Sequence, residues 1–378
     1  MQVSIWEKES FYASQDVIII GSGFVGLWSA YYLKKKDPDL KVTIIERGQI
    51  PTGASTRNAG FACFGSLSEL VHNAQTMGTE NMLELVEKRY KGLERIQKVF
   101  NKKEIGFSLC GGYELYGQMD KISEGELINN MEYINSLLKP VMGKKRTYQM
   151  ADEKISEFGF GNTRHLVENV LEGYLHSGKL LQSLMILVQS MGVQVFTCME
   201  VTGFESINNH VEVHIPTIGR LSANNLLLCT NAFTKSLYPY VDIVPARGQI
   251  LLTTPIEGLN WEGTFHSDEG YYYFRNLGNR VLLGGARNKA FKEEETTEMI
   301  TTEFIQRELE TYLAEVILPM HTNHYQVEYR WSGIMAMGSE KAPIIKELEK
   351  NVFCAVRMSG MGVALAPMAG KQVAQMMT

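Results

Sequence analysis

Asp16–Val17–Ile18–Ile19–Ile20–Gly21–Ser22–Gly23–Phe24–Val25–Gly26 decides the fold. Four consecutive apolar residues suit a strand covered on both faces, as in a parallel sheet. The strand ends on G-x-G-x-x-G and runs into a helix predicted over 27–36. In that arrangement Gly21 permits a sharp turn, Gly23 lets the backbone approach a pyrophosphate, and Gly26 lets helix and strand pack closely. The helix N-terminus offers free N–H groups and a positive dipole end to phosphates. The next apolar strand, Val42–Ile45, ends on Glu46, twenty residues past Gly26 and placed to hydrogen-bond a ribose hydroxyl pair. Strand, glycine turn, helix and acid together predict dinucleotide binding. A glycine-rich turn in an unrelated α/β protein leaves Glu46 unexplained.

A chain of 378 residues is too long for one ordinary core, so two domains are expected. A net charge of −5 gives no footprint for nucleic acid or anionic lipid. No apolar run reaches the roughly 18 residues that a membrane span needs. Residues 1–15 lack a basic region followed by an apolar core, so they do not read as a secretory signal. The five cysteines (Cys63, Cys110, Cys198, Cys229, Cys354) are scattered and never in C-x-x-C spacing. That predicts reduced thiols in the cytoplasm, with neither zinc nor a disulfide framework. His210 and His214 fall on a predicted strand, where four residues span about 13 Å, too far for one metal. His321 and His324 sit in a predicted loop without a neighbouring cysteine, so no metal site is expected.

Beyond the first β-α-β unit, residues 48–65 read as a loop of small and polar residues. An amphipathic helix follows over 79–100, its apolar stripe (Met82, Leu85, Val86, Leu93, Ile96, Phe100) serving core packing. Further helices are predicted over 123–138, 180–191 and 302–318, and a last one from about Ala364 with Pro367 in its first turn. Strands are predicted over 107–109, 113–116, 193–196, 211–215, 225–228, 249–254, 270–274, 280–284, 326–331 and 351–357. The spacing of 211–215 and 225–228 suggests an antiparallel insert. The fold class expected is α/β (α+β overall), a Rossmann-like cofactor domain with an inserted β-rich substrate domain. The cofactor domain is expected to be discontinuous, over 15–78, 155–235 and 331–378; residues 79–154 and 236–330 form the substrate domain.

The dinucleotide fingerprint alone does not separate nicotinamide from flavin. Gly53–Ala54–Ser55–Thr56–Arg57–Asn58–Ala59–Gly60 resembles the loop after the second strand in the D-amino-acid-oxidase-like family of FAD-dependent oxidoreductases. Ser359–Gly360–Met361–Gly362–Val363–Ala364–Leu365–Ala366–Pro367 resembles that family's closing glycine turn and C-terminal helix. Gly173–Tyr174–Leu175–His176–Ser177–Gly178–Lys179–Leu180, Glu200–Val201–Thr202, Leu227–Leu228–Cys229–Thr230–Asn231–Ala232 and Pro245–Ala246–Arg247–Gly248–Gln249 match further family segments in order. The resemblance implies FAD held by Gly21, Ser22, Gly23, Gly26, Glu46, Arg47, Ser55, Thr56, Arg57, Asn58, Ala59, Gly60, Val201 and Thr230. Gly360, Met361, Gly362 and Val363 would lie at the flavin ring. Arg247 reads as a fold-holding residue rather than a substrate ligand.

Three departures bear on chemistry. Trp331–Ser332–Gly333–Ile334–Met335–Ala336–Met337–Gly338 lacks the cysteine that sarcosine-oxidase-like members use, so FAD is expected to bind without a covalent link. Met335 falls about where glycine-oxidase-like members carry a carboxylate-binding arginine. Arg275, Arg287 or Arg330 would have to supply that charge, or the substrate has no carboxylate beside its amine. Leu282 stands where some family oxidases have a lysine that assists oxygen, so oxygen and another electron acceptor both stay open. The Arg330–Trp331–Ser332–Gly333 and Gly362–Val363–Ala364–Leu365 contexts resemble the gamma-glutamylputrescine-oxidase branch. The activity implied is oxidation of an amine C–N bond by hydride transfer to flavin N5, giving an imine that hydrolyses. The alternatives are an amino-acid or 2-hydroxy-acid oxidase or dehydrogenase, and a non-catalytic flavin-binding sensor. Tyr271, Tyr273, Arg330 and Met335 are the candidate substrate-site residues. Tyr271–Tyr272–Tyr273–Phe274 alternates across a strand, so two of the four face one side, which pair being open.

Overall fold

The computed structural model describes residues 2–143, 146–321 and 325–377. His324 lies outside them. Two eight-stranded sheets organise the chain. The first runs Ile344–Glu349, Val352–Val356, Gly219–Leu228, Gln15–Ile20, Val42–Ile45, Gln194–Phe196, with His210–Ile215 attached to Gly219–Leu228 and Gly203–Ile207 paired in turn with His210–Ile215. Its centre is parallel: Ile18 lies opposite Leu226 on one side and Thr43 on the other. The unbroken Val17–Ile20 run follows from burial on both faces. Val17 and Ile19 pack with Leu27, Trp28 and Leu33 of the helix Phe24–Lys36. Ile18 and Ile20 pack instead with Val211, Val213 and Leu228.

Gly219–Leu228 serves two sheets' worth of pairing. Its first half is antiparallel to His210–Ile215, with Ala223 opposite Val211. Its second half is parallel to Gln15–Ile20 and to Val352–Val356. The segment 225–228, expected in the antiparallel insert, is thus a core strand, consistent with its uninterrupted leucines.

The second sheet runs Val327–Met337, Val244–Thr253, Arg280–Gly285, Tyr272–Leu277, Thr264–Ser267, Gly112–Gly117, Thr163–Asn169, Tyr148–Met150. It is antiparallel except between Thr264–Ser267 and Gly112–Gly117. Its outer face buries Leu251, Phe265, Tyr272, Phe274, Val281 and Leu283 against Ile305 and Leu309 of the helix Glu303–Tyr312. That helix ends at Tyr312; Leu313–Ile317 continues as a π turn, where a single helix to 318 was expected.

Other boundaries also depart from expectation. The strand Thr163–Asn169 belongs to the second sheet, although 155–235 was expected to be cofactor domain; it pairs Leu166 with Leu115. The helix Thr79–Val99, expected in the substrate domain, packs on the C-terminal helix Gly362–Met376, where a Cβ on Gly92 would collide with the Ala364 carbonyl. Residues 107–109 form only an isolated bridge, Ser108 to Tyr174. Leu67–Thr76 is an additional helix, started by Ser66 Oγ accepting from Glu69 N. Among the described residues no helix is long and apolar enough to cross a membrane.

Candidate active site

The glycine turn is built by close backbone approach. Gly21 has φ +103°, and a Cβ there would sit 2.8 Å from the Cys229 carbonyl oxygen. A Cβ on Gly26 would overlap the Gly21 carbonyl. Helix Phe24–Lys36 starts on Gly23 without a side-chain cap on its terminal residue. One of its amides, Phe24 N, donates to Ser55 Oγ at 3.0 Å. Buried Glu46 accepts from Ser22 N (3.1 Å) and Ser22 Oγ (2.8 Å) through Oε2, and from Gly48 N (3.0 Å) through Oε1. Arg47 stacks on Phe233, 4.0 Å from the ring centroid. Val201 is buried in the cluster that backs Ile18 and Ile20. Thr230 Oγ1 lies 3.0 Å from Thr234 Oγ1.

The loop from Gly53 to Gly60 is folded on itself and onto the second sheet. Thr56 Oγ1 donates to the Pro51 carbonyl at 2.7 Å. Asn58 Nδ2 donates to the Ala54 and Ser55 carbonyls, while its Oδ1 accepts from Gly60 N and Ser177 Oγ. Arg57 donates to the Thr52 carbonyl through Nε and to the Ser332 carbonyl through Nη1. Ala59 then packs with Ile250, Leu252 and Leu282, joined by Phe61, Tyr273 and Trp331. The loop thus faces the inner side of the sheet, and Leu282 is part of that apolar contact.

Strand register decides which substrate-site candidates share that side. Tyr273 lies opposite His266 and Gly284, and Gly284 lies opposite Ile250. Tyr273 and His266 therefore face the loop; Phe61 meets their rings edge-on at 6.0 and 5.0 Å. Tyr272 and Phe274 go to the outer core. Tyr271 precedes the strand and packs edge-on to Phe291, 5.6 Å away. Met335 pairs with Ala246, and its sulfur is 3.5 Å from the position a Cβ on Gly360 would take. Arg330 pairs with Leu251 on the outer face, where it binds Gln306 and Glu310 (2.7 Å to the latter). The structure brings Met335 and Tyr273 to the side of the 53–60 loop and places Arg330 on the opposite one, because strand alternation puts residues 330 and 335 on different faces.

Ser359 and Gly360 both have positive φ (+48° and +81°), turning the chain into the helix Gly362–Met376. Met361 caps that helix without a side-chain hydrogen bond. Ser359 Oγ is buried without a partner among the described residues. Val363 packs against the helical core. Two helix N-termini without side-chain caps, bare glycines at both, and an unspent hydroxyl fit an anionic dinucleotide carrying a flat ring.

Burial sets the charge states nearby. His266 is pulled down to about 4 and Tyr273 pushed up to about 12 by desolvation, so both are neutral at physiological pH. Cys63, whose Sγ accepts from Arg89 Nη2 at 3.9 Å, is pushed up to about 12 by burial and stays a thiol. Arg275 is spent on the carbonyls of Leu175 (3.0 Å) and Gly60 (3.3 Å) and stacks on Tyr174. Arg247 forms a two-pronged pair with Glu294, both nitrogens at 2.8 Å. His214 gathers with Glu205 and Glu212 rather than with His210, and Arg220 is ion-paired to both carboxylates. His266 was not singled out in the sequence, since nothing local distinguishes a histidine in a strand. Its neighbours come from distant elements.

The family described as "DAO: FAD dependent oxidoreductase" matches residues 16–376. The "Probable oxidoreductase OrdL" of Haemophilus influenzae is 24% identical over 95% of this chain and 82% of its own length. The gamma-glutamylputrescine oxidoreductase of Escherichia coli is 22% identical over 96% and 83%. The L-proline dehydrogenase structure from P. horikoshii superposes with a TM-score of 0.78 at 21% identity, covering 97% of this chain and 93% of that one. The cofactor of this fold is FAD, and the chain belongs to the DAO family of FAD-dependent oxidoreductases.

Proposed function

We propose that the protein oxidises the C–N bond of an amine that carries no carboxylate on the reacting carbon. The observation that supports this most is the fate of its arginines. Arg275 and Arg57 are committed to backbone carbonyls, and Arg330 faces away from Met335. Met335, Tyr273 and the glycines 248 and 360 leave an apolar surface there, and Arg287 is stacked on Phe291. A substrate carboxylate buried against it would lack a charge partner, at a cost of several kcal/mol (order of magnitude).

Bound FAD supplies a hydride acceptor. The chain supplies the rest: Gly21 to Gly26 and Ser55 would hold the pyrophosphate, Glu46 would hold the ribose, and the 53–60 loop would hold the ring. The dipole of helix Gly362–Met376 stabilises negative charge on the ring. Tyr273 and Met335 orient the amine and exclude water, and the imine formed is released to hydrolyse. We read FAD as held without a covalent link, since Cys63 is turned to Arg89 and residues 331–338 contain no cysteine. Oxygen or another acceptor reoxidises the protein.

A second reading rests on Arg287. It stacks on Phe291, 4.7 Å from the ring centroid, close enough to Tyr271 and Tyr273 to interact electrostatically. If it swings toward Tyr273, an amino acid is accommodated. Anaerobic bleaching of the yellow protein by a panel of amines and amino acids separates the two. Bleaching by secondary amines or polyamines alone supports the first reading, and bleaching only by carboxylates overturns it.

A further inference from the structure

Behind the inner face of the second sheet lies a cavity of about 10 Å³, the size of a single water. Among its walls are Glu114, Glu172, Tyr148, Ser66, Asn169 and His266. Glu172 is almost wholly buried and accepts from Phe64 N (2.6 Å) and Gly65 N (3.0 Å), both through Oε1. Its Oε2 fills the place where a Cβ on Gly112 would stand. Glu114 accepts from Ser68 N, Ser68 Oγ and Tyr116 OH. Asn169, 2% exposed, accepts from Leu171 N through Oδ1, and its Nδ2 has no partner among the described residues. His266 Nε2 is likewise buried and has no partner among the described residues. Two unspent ring and amide nitrogens and two carboxyls around one water-sized space are what an ordered water requires.

We propose that one water in this cavity links His266 to Glu172, and that Glu172, with Glu114 beside it, takes up the proton an ammonium substrate sheds at the flavin side. The inference rests on the amine reading above. The substrate N–H bond breaks and its proton passes to one ring nitrogen of His266. The Nε2–H proton passes to the water, and a water proton forms the O–H bond of Glu172. The net change is ammonium to neutral amine and carboxylate to carboxylic acid; no electrons move. His266 sits at the right place for this, facing the loop beside Phe61 and paired across strands with Tyr273 and Glu114.

The groups facing Glu172 are Arg89 on helix Thr79–Val99, Glu69 on helix Leu67–Thr76, and Cys63, Tyr148, Glu114 and His266. Arg89 is compensated by Glu69 at 3.0 Å. Burial pushes Glu172 up to about 7 and raises Glu114 as well, while His266 stays neutral and relays rather than stores.

The test uses the FAD-loaded protein and Glu172→Gln, which keeps the acceptor for both amides. Infrared difference spectra recorded across pH, without substrate, should show a protonated-carboxyl band titrating near 7 that vanishes in the variant. Anaerobic flavin reduction by an amine should slow by about 100-fold below the amine's own pKa and recover above it. His266→Asn should give the same kinetic loss with the carboxyl band intact. A pH profile of Glu172→Gln superposable on the parent overturns the relay, as does a carboxyl band that does not titrate. If the band behaves as expected but no amine bleaches the flavin, the proton-holding site stands and the substrate reading fails.

Discussion

Arg57 Nη1 donates to the carbonyl oxygen of Ser332 at 2.9 Å, and Trp331 Nε1 donates back to the carbonyl oxygen of Arg57 at 3.1 Å. The 53–60 loop and the strand that carries Met335 are therefore one unit. Gly333 lies beneath the arginine: a Cβ there would stand 2.8 Å from Arg57 Cβ. Loop and strand are held in register by backbone carbonyls.

Arg57→Ala should weaken FAD binding at least tenfold, because hydrogen bonds from a charged donor contribute about 1.5–3 kcal/mol each. Arg57→Lys should recover only part, since a point charge cannot serve two carbonyls at the geometry of a planar fork. FAD titration of the apoprotein measures both. Parent-like affinity in the alanine variant would remove the loop-anchoring role.

The glycine turn separates stability from cofactor binding. Gly26→Ala places a methyl on the Gly21 carbonyl, so the apoprotein itself should lose roughly 1–3 kcal/mol or more, as overpacked sites do. Gly23→Ala meets only Ser55 Oγ at 3.0 Å, a side chain that can turn aside. Its melting temperature without FAD should stay near the parent's while FAD affinity falls. Denaturant melts of both apoproteins decide; equal destabilisation would refute the distinction.

The first β-α-β unit was legible because its signal is local: an apolar run, glycines at fixed offsets and an acid at the strand end. The substrate sheet was read less completely. Its strands Gly112–Gly117 and Thr163–Asn169 come from distant segments, and pairing between remote strands leaves no spacing to read. Arg330 and Met335 are five residues apart on one strand, so their opposite facing follows from alternation once the strand is known to run unbroken from Val327 to Met337. The Glu172–His266 surroundings were not legible, because Cys63, Arg89, Glu114 and Tyr148 meet only through tertiary packing.

Arg247 and Glu294 test a purely structural pair. Both are almost fully buried, and Gln249 Nε2 adds a third contact to the carboxylate at 3.0 Å. Glu294→Ala leaves a buried guanidinium uncompensated, at a cost of about 3–5 kcal/mol. Thermal melts should show that loss while the substrate panel that bleaches the flavin keeps its order. A changed substrate preference would instead place Arg247 in the substrate site.

Met335→Arg puts a cation beside Gly360 and Tyr273. An amine-specific protein should lose kcat/KM for its best amine by about 100-fold, the equivalent of some 3 kcal/mol. A gain of activity toward the matching amino acid would show that the pocket geometry was already suited to a carboxylate and lacked only the charge.

Glu172 gives the stability of the fold a direction in pH. Its carboxyl titrates at about 7 when folded, against an ordinary 4.5, so between those values the folded chain binds the proton that the unfolded chain has released. That contribution is complete below 4.5 and is lost as pH rises through 7. With about 1.4 kcal/mol per pKa unit, the loss amounts to about 3 kcal/mol. Glu69 has the opposite sign: paired with Arg89 and held below the usual value, it stabilises above 4.5 and loses that effect as pH falls. Glu172→Gln mimics the neutral acid at every pH, so its melting temperature should match the parent's at about pH 4, exceed it increasingly up to about pH 7, and keep a constant lead above that. Parallel melting curves across that window would mean that the buried carboxyl releases its proton at the same pH folded and unfolded.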